Sequence, residues 1–370
     1  MKASVALKQK KVKERVRQRH TSRPPTPDPQ ILLDWYDRHR RVMPWRAKRG
    51  EKIDPYRVWL SEIMLQQTTV VTVGPYFKKF IERWPTLNEL AAAELNDVLH
   101  QWAGLGYYRR ARLLHQCAQK LRDDCAGVFP RDEKALLALP GFGPYTAAAV
   151  TAIAFDKPAN VVDGNVERVM ARIFAISDPL PKAKAKLRAA AATLVPSKRY
   201  GDYAQALMDL GATICTPRSP KCGLCPWQKV CQAQTQGIQE QLPRRAKAKL
   251  RPVRRAFAFV LLNPHGEVFL RRRPPQGLLA SMMEVPSSPW VAGAMPTGAE
   301  AKKYAPLAGK WKQSPGLVTH IFTHFTLEIN IATAVTHKNF PGRWVSPYKL
   351  ESEALPSVMK KIVRHALKAL

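Results

Sequence analysis

The sequence predicts a mostly α-helical domain followed by a smaller α/β domain. Three observations carry this: a change of hydrophobic period near residue 255, a basic Pro-containing stretch at the change, and a length of 370 residues. Chains longer than ~250 residues usually divide into more than one core. From Ile31 to Gln232 apolar residues recur at helical spacing: Ile31, Leu32, Trp35 and Tyr36, then Leu113, Leu114, Cys117, Ala118 and Leu121. Val58 to Leu65 is apolar nearly all round, as in a buried helix, and Asp132 is placed to cap a short helix carrying Leu136, Leu137 and Leu139. Beyond residue 255 the period shortens. Ala256–Leu262, a turn Asn263-Pro264-His265-Gly266 and Glu267–Leu270 predict a β-hairpin. Val318–Val335 alternates as a strand region, and Ser357–Leu370 closes as a helix.

The expected organisation is a basic disordered arm over 1–30, a helical domain over 31–232, a basic linker over 233–254 and the α/β domain over 255–370. Lys8, Lys10, Lys11, Lys13, Arg15, Arg17 and Arg19 crowd the arm, and Pro24, Pro25, Pro27 and Pro29 end it. An Arg- and Ser-rich mitochondrial presequence fits it poorly. The linker carries Arg244, Arg245, Lys247, Lys249, Arg251 and Arg254 against one acid, Glu240.

Composition excludes several classes. No apolar run approaches the ~18 residues of a membrane span, and residues 1–20 lack the apolar core of a secretory signal. With 45 % hydrophobic residues the chain packs interiors, and six cysteines in 370 residues are no disulfide scaffold. The formal charge of +32, from 60 Lys and Arg against 28 Asp and Glu, fits a polyanionic partner or simply solubilising tails.

Cys215, Cys222, Cys225 and Cys231 form C-x6-C-x2-C-x5-C, stiffened by Pro217, Pro220 and Pro226. Four thiolates this close suit one tetrahedral zinc or the corners of an iron–sulfur cube, and counting leaves both open. Cys117 and Cys125 read as ordinary buried residues. Leu139-Pro140-Gly141-Phe142-Gly143-Pro144-Tyr145-Thr146 joins two helices. Gly141 and Gly143 permit the tight corner, Phe142 anchors it, and backbone N–H groups at the following helix N-terminus suit a phosphate. On a chain this basic, that predicts a helix-hairpin-helix holding DNA backbone; a plain tight corner is the alternative.

Two carboxylates stand out. Glu62 lies in the apolar octet Val58–Leu65, where desolvation raises a carboxyl's pKa and lets it act as a general acid. Asp163, in Val162-Asp163-Gly164-Asn165-Val166, precedes a helix and suits stabilising or trapping a developing cation. A protonated acid with a carboxylate is the pairing that glycoside cleavage needs. A buried salt bridge for Glu62 and a helix cap for Asp163 remain the alternatives.

Together, Ser61-Glu62-Ile63-Met64-Leu65-Gln66-Gln67-Thr68, Gly104-Leu105-Gly106-Tyr107-Tyr108, the glycine hairpin, Val162–Val166 and the four cysteines resemble the MutY family of adenine DNA glycosylases, within the endonuclease III superfamily. The resemblance runs from about Ile31 to the C-terminus. It implies a helix-hairpin-helix glycosylase domain whose four cysteines hold a [4Fe–4S] cluster. It further implies double-stranded DNA with adenine opposite 8-oxoguanine or guanine as substrate. The enzyme is expected to be monomeric, cytoplasmic and nucleoid-associated in a bacterium, with no membrane partner. Glu62 would protonate the adenine ring and later activate water, and Asp163 would support or capture the sugar cation, assisted by Tyr145 and Asn165. Gln67 and Tyr107 match wedge residues; Gln66, Leu105, Gly141 and Gly143 match DNA contacts; Arg46 and Gln205 match positions near the adenine pocket. Where bifunctional relatives carry a Schiff-base Lys this chain has Tyr145, which implies a monofunctional enzyme.

By the same resemblance the C-terminal domain is Nudix-like and reads the oxidised guanine. Gly277-Leu278-Leu279 and Glu284-Val285-Pro286 match, and Phe322, Thr323 and His324 stand where the family has Phe-Ser-His. Thr323 departs by one methyl, and Met283 replaces an aromatic residue. No acid occurs between Glu284 and Glu300, so the Mg2+-binding Glu cluster of Nudix hydrolases is missing. Within the family the runner-up is an endonuclease III-like bifunctional glycosylase/lyase; outside it, two competing readings are a Nudix pyrophosphohydrolase with a DNA module and a DNA-binding protein with structural zinc. The pyrophosphohydrolase lacks its acidic box, and the DNA-binding protein needs neither Glu62 nor Asp163.

Overall fold

A computed structural model describes residues 26–246, 250–338 and 342–369. The Lys/Arg cluster expected in a disordered arm, along with Lys247 and Lys249 of the linker, lies outside the described residues. The chain divides into two compact units: Met1–Val42 with Ala147–Ala246, and Met43–Thr146 with Lys247–Leu370. In chain order the helices are α1 (Pro29–His39), α2 (Pro55–Leu65), α3 (Val70–Arg83), α4 (Leu87–Ala92), α5 (Leu95–Trp102), α6 (Arg109–Cys125) and α7 (Glu133–Leu137). They continue with α8 (Pro144–Phe155), α9 (Gly164–Ile173), α10 (Lys184–Ala192), α11 (Tyr200–Thr213), α12 (Gln232–Thr235), α13 (Gly298–Ala301) and α14 (Ser357–Lys368).

In the first unit α1 begins at Pro29, two residues before the expected start. Asp28 accepts from the Gln30 N–H (2.8 Å), and Pro29 supplies a first-turn φ. Leu32, Leu33, Trp35 and Tyr36 on its buried face join Val166, Val169 and Met170 of α9, Leu207 and Leu210 of α11, and Trp227. Trp227 Nε1 donates to the Asp28 carbonyl (2.9 Å), fastening the cysteine-rich loop to the start of α1. Past α12 the backbone stays attached: the Leu180 N–H donates to Arg244, and the Ala246 N–H donates back to Leu180.

In the second unit α2 is buried all round, and Asp132 does cap α7, accepting from the Ala135 N–H (3.0 Å). Residues past 250 build a seven-stranded sheet from β1 (Val253–Leu262), β2 (Val268–Arg272), β3 (Met283–Glu284), β4 (Lys312–Gln313), β5 (Val318–Ile321), β6 (Thr326–Val335) and β7 (Arg343–Val345). The order is β3-β2-β1-β6-β4, with β5 also on β6 and β7 on β2. β1 runs parallel to β6, Val253 facing Thr326 and Leu262 facing Val335; the other pairs are antiparallel. The hairpin forms because the Asn263 side chain accepts from the N–H groups of His265 and Glu267 and Gly266 takes φ +74°. The strand region expected over 318–335 is two strands, split by a turn at residues 322–325. α14 lays Val358, Met359, Ile362 and Val363 on the sheet, where Ile329, Ile331 and Leu327 meet them.

Candidate active site and cluster-binding loop

Asp54 caps α2 and Pro55 opens it, so Val58–Met64 enters the interior as a helix with every side chain buried. Glu62 is only 6 % exposed there. Its Oε2 accepts from the Tyr145 hydroxyl at 2.7 Å. Tyr145 lies in the first turn of α8, aimed by the preceding corner: Gly141 adopts φ +79°, and a Cβ there would sit 3.0 Å from Leu113 Cβ. Only glycine takes both without strain. Gly143 shows no positive φ and has open space, so it does not impose the same requirement. Phe142 stacks on Trp59 of α2 (6.4 Å, 5°) and anchors the corner to the helix carrying Glu62. Gln66 Nε2 donates to Thr146 Oγ1 (3.2 Å), a second tie between the two.

Two exposed side chains rise on strained backbone in the same unit: Gln67 at φ +59° and Tyr107 at φ +48°, the latter 47 % exposed. Tyr108 is buried, as is Leu105 (5 % exposed), the residue that the resemblance places among the DNA contacts. The Tyr107 hydroxyl hydrogen-bonds Thr323 Oγ1 (3.0 Å) in the β5–β6 turn. Phe322, half-buried, stacks on Phe325 (4.7 Å, 24°) and leaves Thr323 and His324 exposed. Arg46 is half-buried in a turn after Met43. Met283, where an aromatic residue was expected, is buried in the same apolar cluster as Val285 and Leu270, and Glu284 beside it is held by Arg271 and Arg273.

In the other unit Asp163 caps α9, Oδ1 accepting from the Val166 N–H (2.7 Å). The capping alternative is therefore real, and it leaves Oδ2 for Asn165 Nδ2 (2.9 Å). Asn165 Oδ1 accepts from Arg168 Nη2 (2.9 Å), whose Nε donates to the Cys215 carbonyl (2.8 Å). Gly211 makes this possible, since a Cβ there would lie 2.6 Å from Asn165 Cβ. Arg172, one turn on and 1 % exposed, donates to Cys215 Sγ (3.3 Å) and to the Thr216 carbonyl (2.7 Å). Gln205 is buried on α11, its Nε2 donating to the Gly201 carbonyl (3.1 Å). Sequence reasoning missed Arg168 and Arg172. Both lie one helical turn apart on the face pointing at the cysteine loop, a pairing visible only once the loop is seen to fold back.

Cys215, Cys222, Cys225 and Cys231 line one small cavity with Val169, Arg172 and Leu210. Among the described residues no three His, Cys, Asp or Glu side chains converge on a single-ion geometry. Four sulfurs lining one space suit a thiolate-held metal or cluster, and this geometry by itself leaves zinc and an iron–sulfur cluster both open. Burial pushes the Cys225 thiol up to about 12. Cys117 is buried as expected, while Cys125 at the end of α6 is half-exposed.

Residues 60–197 match the HhH-GPD superfamily of base excision DNA repair proteins, 215–231 the iron–sulfur binding domain of endonuclease III, and 257–365 the NUDIX domain. The human adenine DNA glycosylase is 35 % identical over 396 residues, covering 90 % of this chain and 72 % of that protein. The chain belongs to the adenine DNA glycosylase family. The adenine DNA glycosylase of Mycolicibacterium smegmatis is 45 % identical over 198 residues, 54 % of this chain and 67 % of that one. A thermostable thymine-DNA glycosylase superposes with a TM-score of 0.50 at 34 % identity, covering 56 % of this chain and 95 % of that chain. This glycosylase is thus a base-excision-repair enzyme that hydrolyses N-glycosyl bonds, with DNA as its partner and a [4Fe–4S] cluster as its cofactor. No helix among its described residues is long and apolar enough to cross a membrane.

Proposed function

We propose that the enzyme releases adenine mispaired with 8-oxoguanine or guanine, acting as a monofunctional monomer on duplex DNA of the nucleoid. The observation that carries the reading is the Tyr145 hydroxyl on the Glu62 carboxyl, a buried acid whose neighbour is a phenol and not an amine. The extruded adenine takes a proton from Glu62 as its bond to the sugar breaks, the bond electrons leaving with the base. The sugar cation is met by the Asp163 carboxylate, which Asn165 and the Val166 N–H hold in orientation. Water then adds to the sugar carbon, its proton returning to Glu62, and an abasic site remains. Gln67 and Tyr107 fill the stack that the adenine leaves. Contact of Tyr107 with Thr323 supports reading of the opposite base by the Phe322–His324 turn.

A single-turnover assay on duplexes with adenine opposite 8-oxoguanine, guanine or thymine tests the reading. Release fastest with the oxidised partner is expected; equal rates for all three, or preferential release of thymine from thymine–guanine pairs, would overturn it. Tyr145→Lys replaces the phenol by an amine able to form a Schiff base with the sugar. That variant is expected to gain some strand cleavage and a borohydride-trappable adduct, both absent in the parent.

For the cofactor, we assign Cys215, Cys222, Cys225 and Cys231 as the ligands. The cluster supplies a cross-link for a loop with little core of its own. Cys225→Ser is expected to lose the visible absorption that closed-shell zinc would never have shown, and to lower Tm. Full retention of colour would refute the assignment.

A further inference from the structure

Arg110, in the first turn of α6, is 9 % exposed and occupies the core register of that helix, with Leu114, Cys117 and Leu121 below it. A cation in such a stripe demands acceptors. Nη1 donates to the carbonyls of Ile63 (2.8 Å), Met64 (2.9 Å) and Gln66 (2.5 Å). Nη2 reaches Thr68 Oγ1 (3.2 Å) and the carbonyls of Leu105 and Gly106 (both 3.3 Å). The guanidinium also lies under the Tyr107 ring (5.4 Å) and against Trp102 (5.2 Å). No carboxylate is among these partners. The charge is spent on carbonyls at the C-terminus of α2, which no intrahelical N–H can satisfy and where a positive charge is favoured. Desolvation brings the guanidinium down to about 10, which leaves it charged at neutral pH.

One planar group therefore holds two loops at once. The first carries Gln67 and the second Tyr107, and both residues sit at positive φ, a conformation that persists only when the surroundings impose it. We propose that Arg110 is a positioning residue that locks these loops into a single wedge, so that extrusion of the target base depends on it. The inference rests on the reading of Gln67 and Tyr107 as wedge residues. A lysine in its place keeps the charge but is a point donor, unable to span both loops as the fork does.

The test compares release of adenine paired opposite 8-oxoguanine, which must be extruded, with release of adenine opposite an abasic-site analogue, which is already loosened. The cluster-loaded full chain is used with Arg110→Lys, Arg110→Gln, Gln67→Ala and Tyr107→Ala. Both Arg110 variants are expected to lose about 10²-fold on the paired substrate, the scale of a ~1 Å misplacement, and to change little on the unpaired one. Equal losses on both substrates, or none on either, would overturn the proposal and leave Arg110 a packing residue. Should Gln67→Ala and Tyr107→Ala also leave paired release intact, the wedge reading itself falls; if only these two lose it, the clamp alone falls. Visible absorption and Tm report folding. If the Arg110 variants do not fold, Thr68→Val, which removes one acceptor, decides: a smaller loss confined to the paired substrate supports the clamp, and no loss refutes it.

Discussion

Glu62→Gln is expected to abolish base release while leaving DNA binding near its parental level. The substitution keeps volume and shape, so the buried helix α2 is not asked to repack, and the amide oxygen still accepts the Tyr145 hydroxyl proton. What disappears is a transferable proton. General acid catalysis contributes about 10²–10⁴-fold, and here the same carboxyl is assigned a second step, activation of water, so the loss belongs at the upper end of that range. Single-turnover release and an anisotropy titration with the mispaired duplex separate the outcomes. A variant that bound tenfold less tightly and turned over normally once saturated would make Glu62 a binding group and remove the chemical step assigned to it. Glu62→Ala is a poorer probe, because the vacated space and the orphaned phenol would perturb the corner that aims Tyr145.

The burial of Glu62 was legible in the sequence because seven of the eight residues of Val58–Leu65 around it carry no charge and most are apolar. The Gly141 corner was legible because positive φ selects glycine, and the β1–β2 hairpin because Asn263 and Gly266 are turn chemistry. What escaped were groups whose partners are backbone. Arg110 stands in a run of arginines after Tyr108, and nothing in that run marks which one turns inward; only the helical register with Leu114 and Cys117 hints at it. Its acceptors are carbonyls of another segment, which carry no residue signature. Arg168 escaped for the same reason, since its targets are the carbonyls of Gly211 and Cys215. The exposure of single residues within the Gly104–Tyr108 loop was not legible either: Tyr107 is 47 % exposed while Leu105 is 5 % exposed, and their flanking glycines do not distinguish them. The turn between β5 and β6 was absorbed into one strand because Phe325 and Leu327 continue the alternation across it.

Asp163→Asn separates the helix cap that the structure shows from the counter-ion role proposed for this residue. Asp163 is a helix cap, and asparagine caps as well as aspartate does, so α9 and the Val166 N–H contact survive the change. The negative charge does not. A cation developing on the sugar loses its counter-ion, and removal of one well-placed electrostatic partner typically costs about 10²–10³-fold in turnover. Tm should stay within a degree or two of the parent, while Asp163→Ala should add the loss of the cap, about 1 kcal/mol, to a similar catalytic defect. The comparison of the two variants is the measurement. If Asn were fully active and only Ala impaired, the carboxylate would be a cap and nothing more. If both fell by the same factor in turnover while only Ala lost stability, charge and cap would be independent functions of one side chain. Asn165 sharpens the case, because its Nδ2 turns Oδ2 of Asp163 to a fixed direction that a cap alone has no need of.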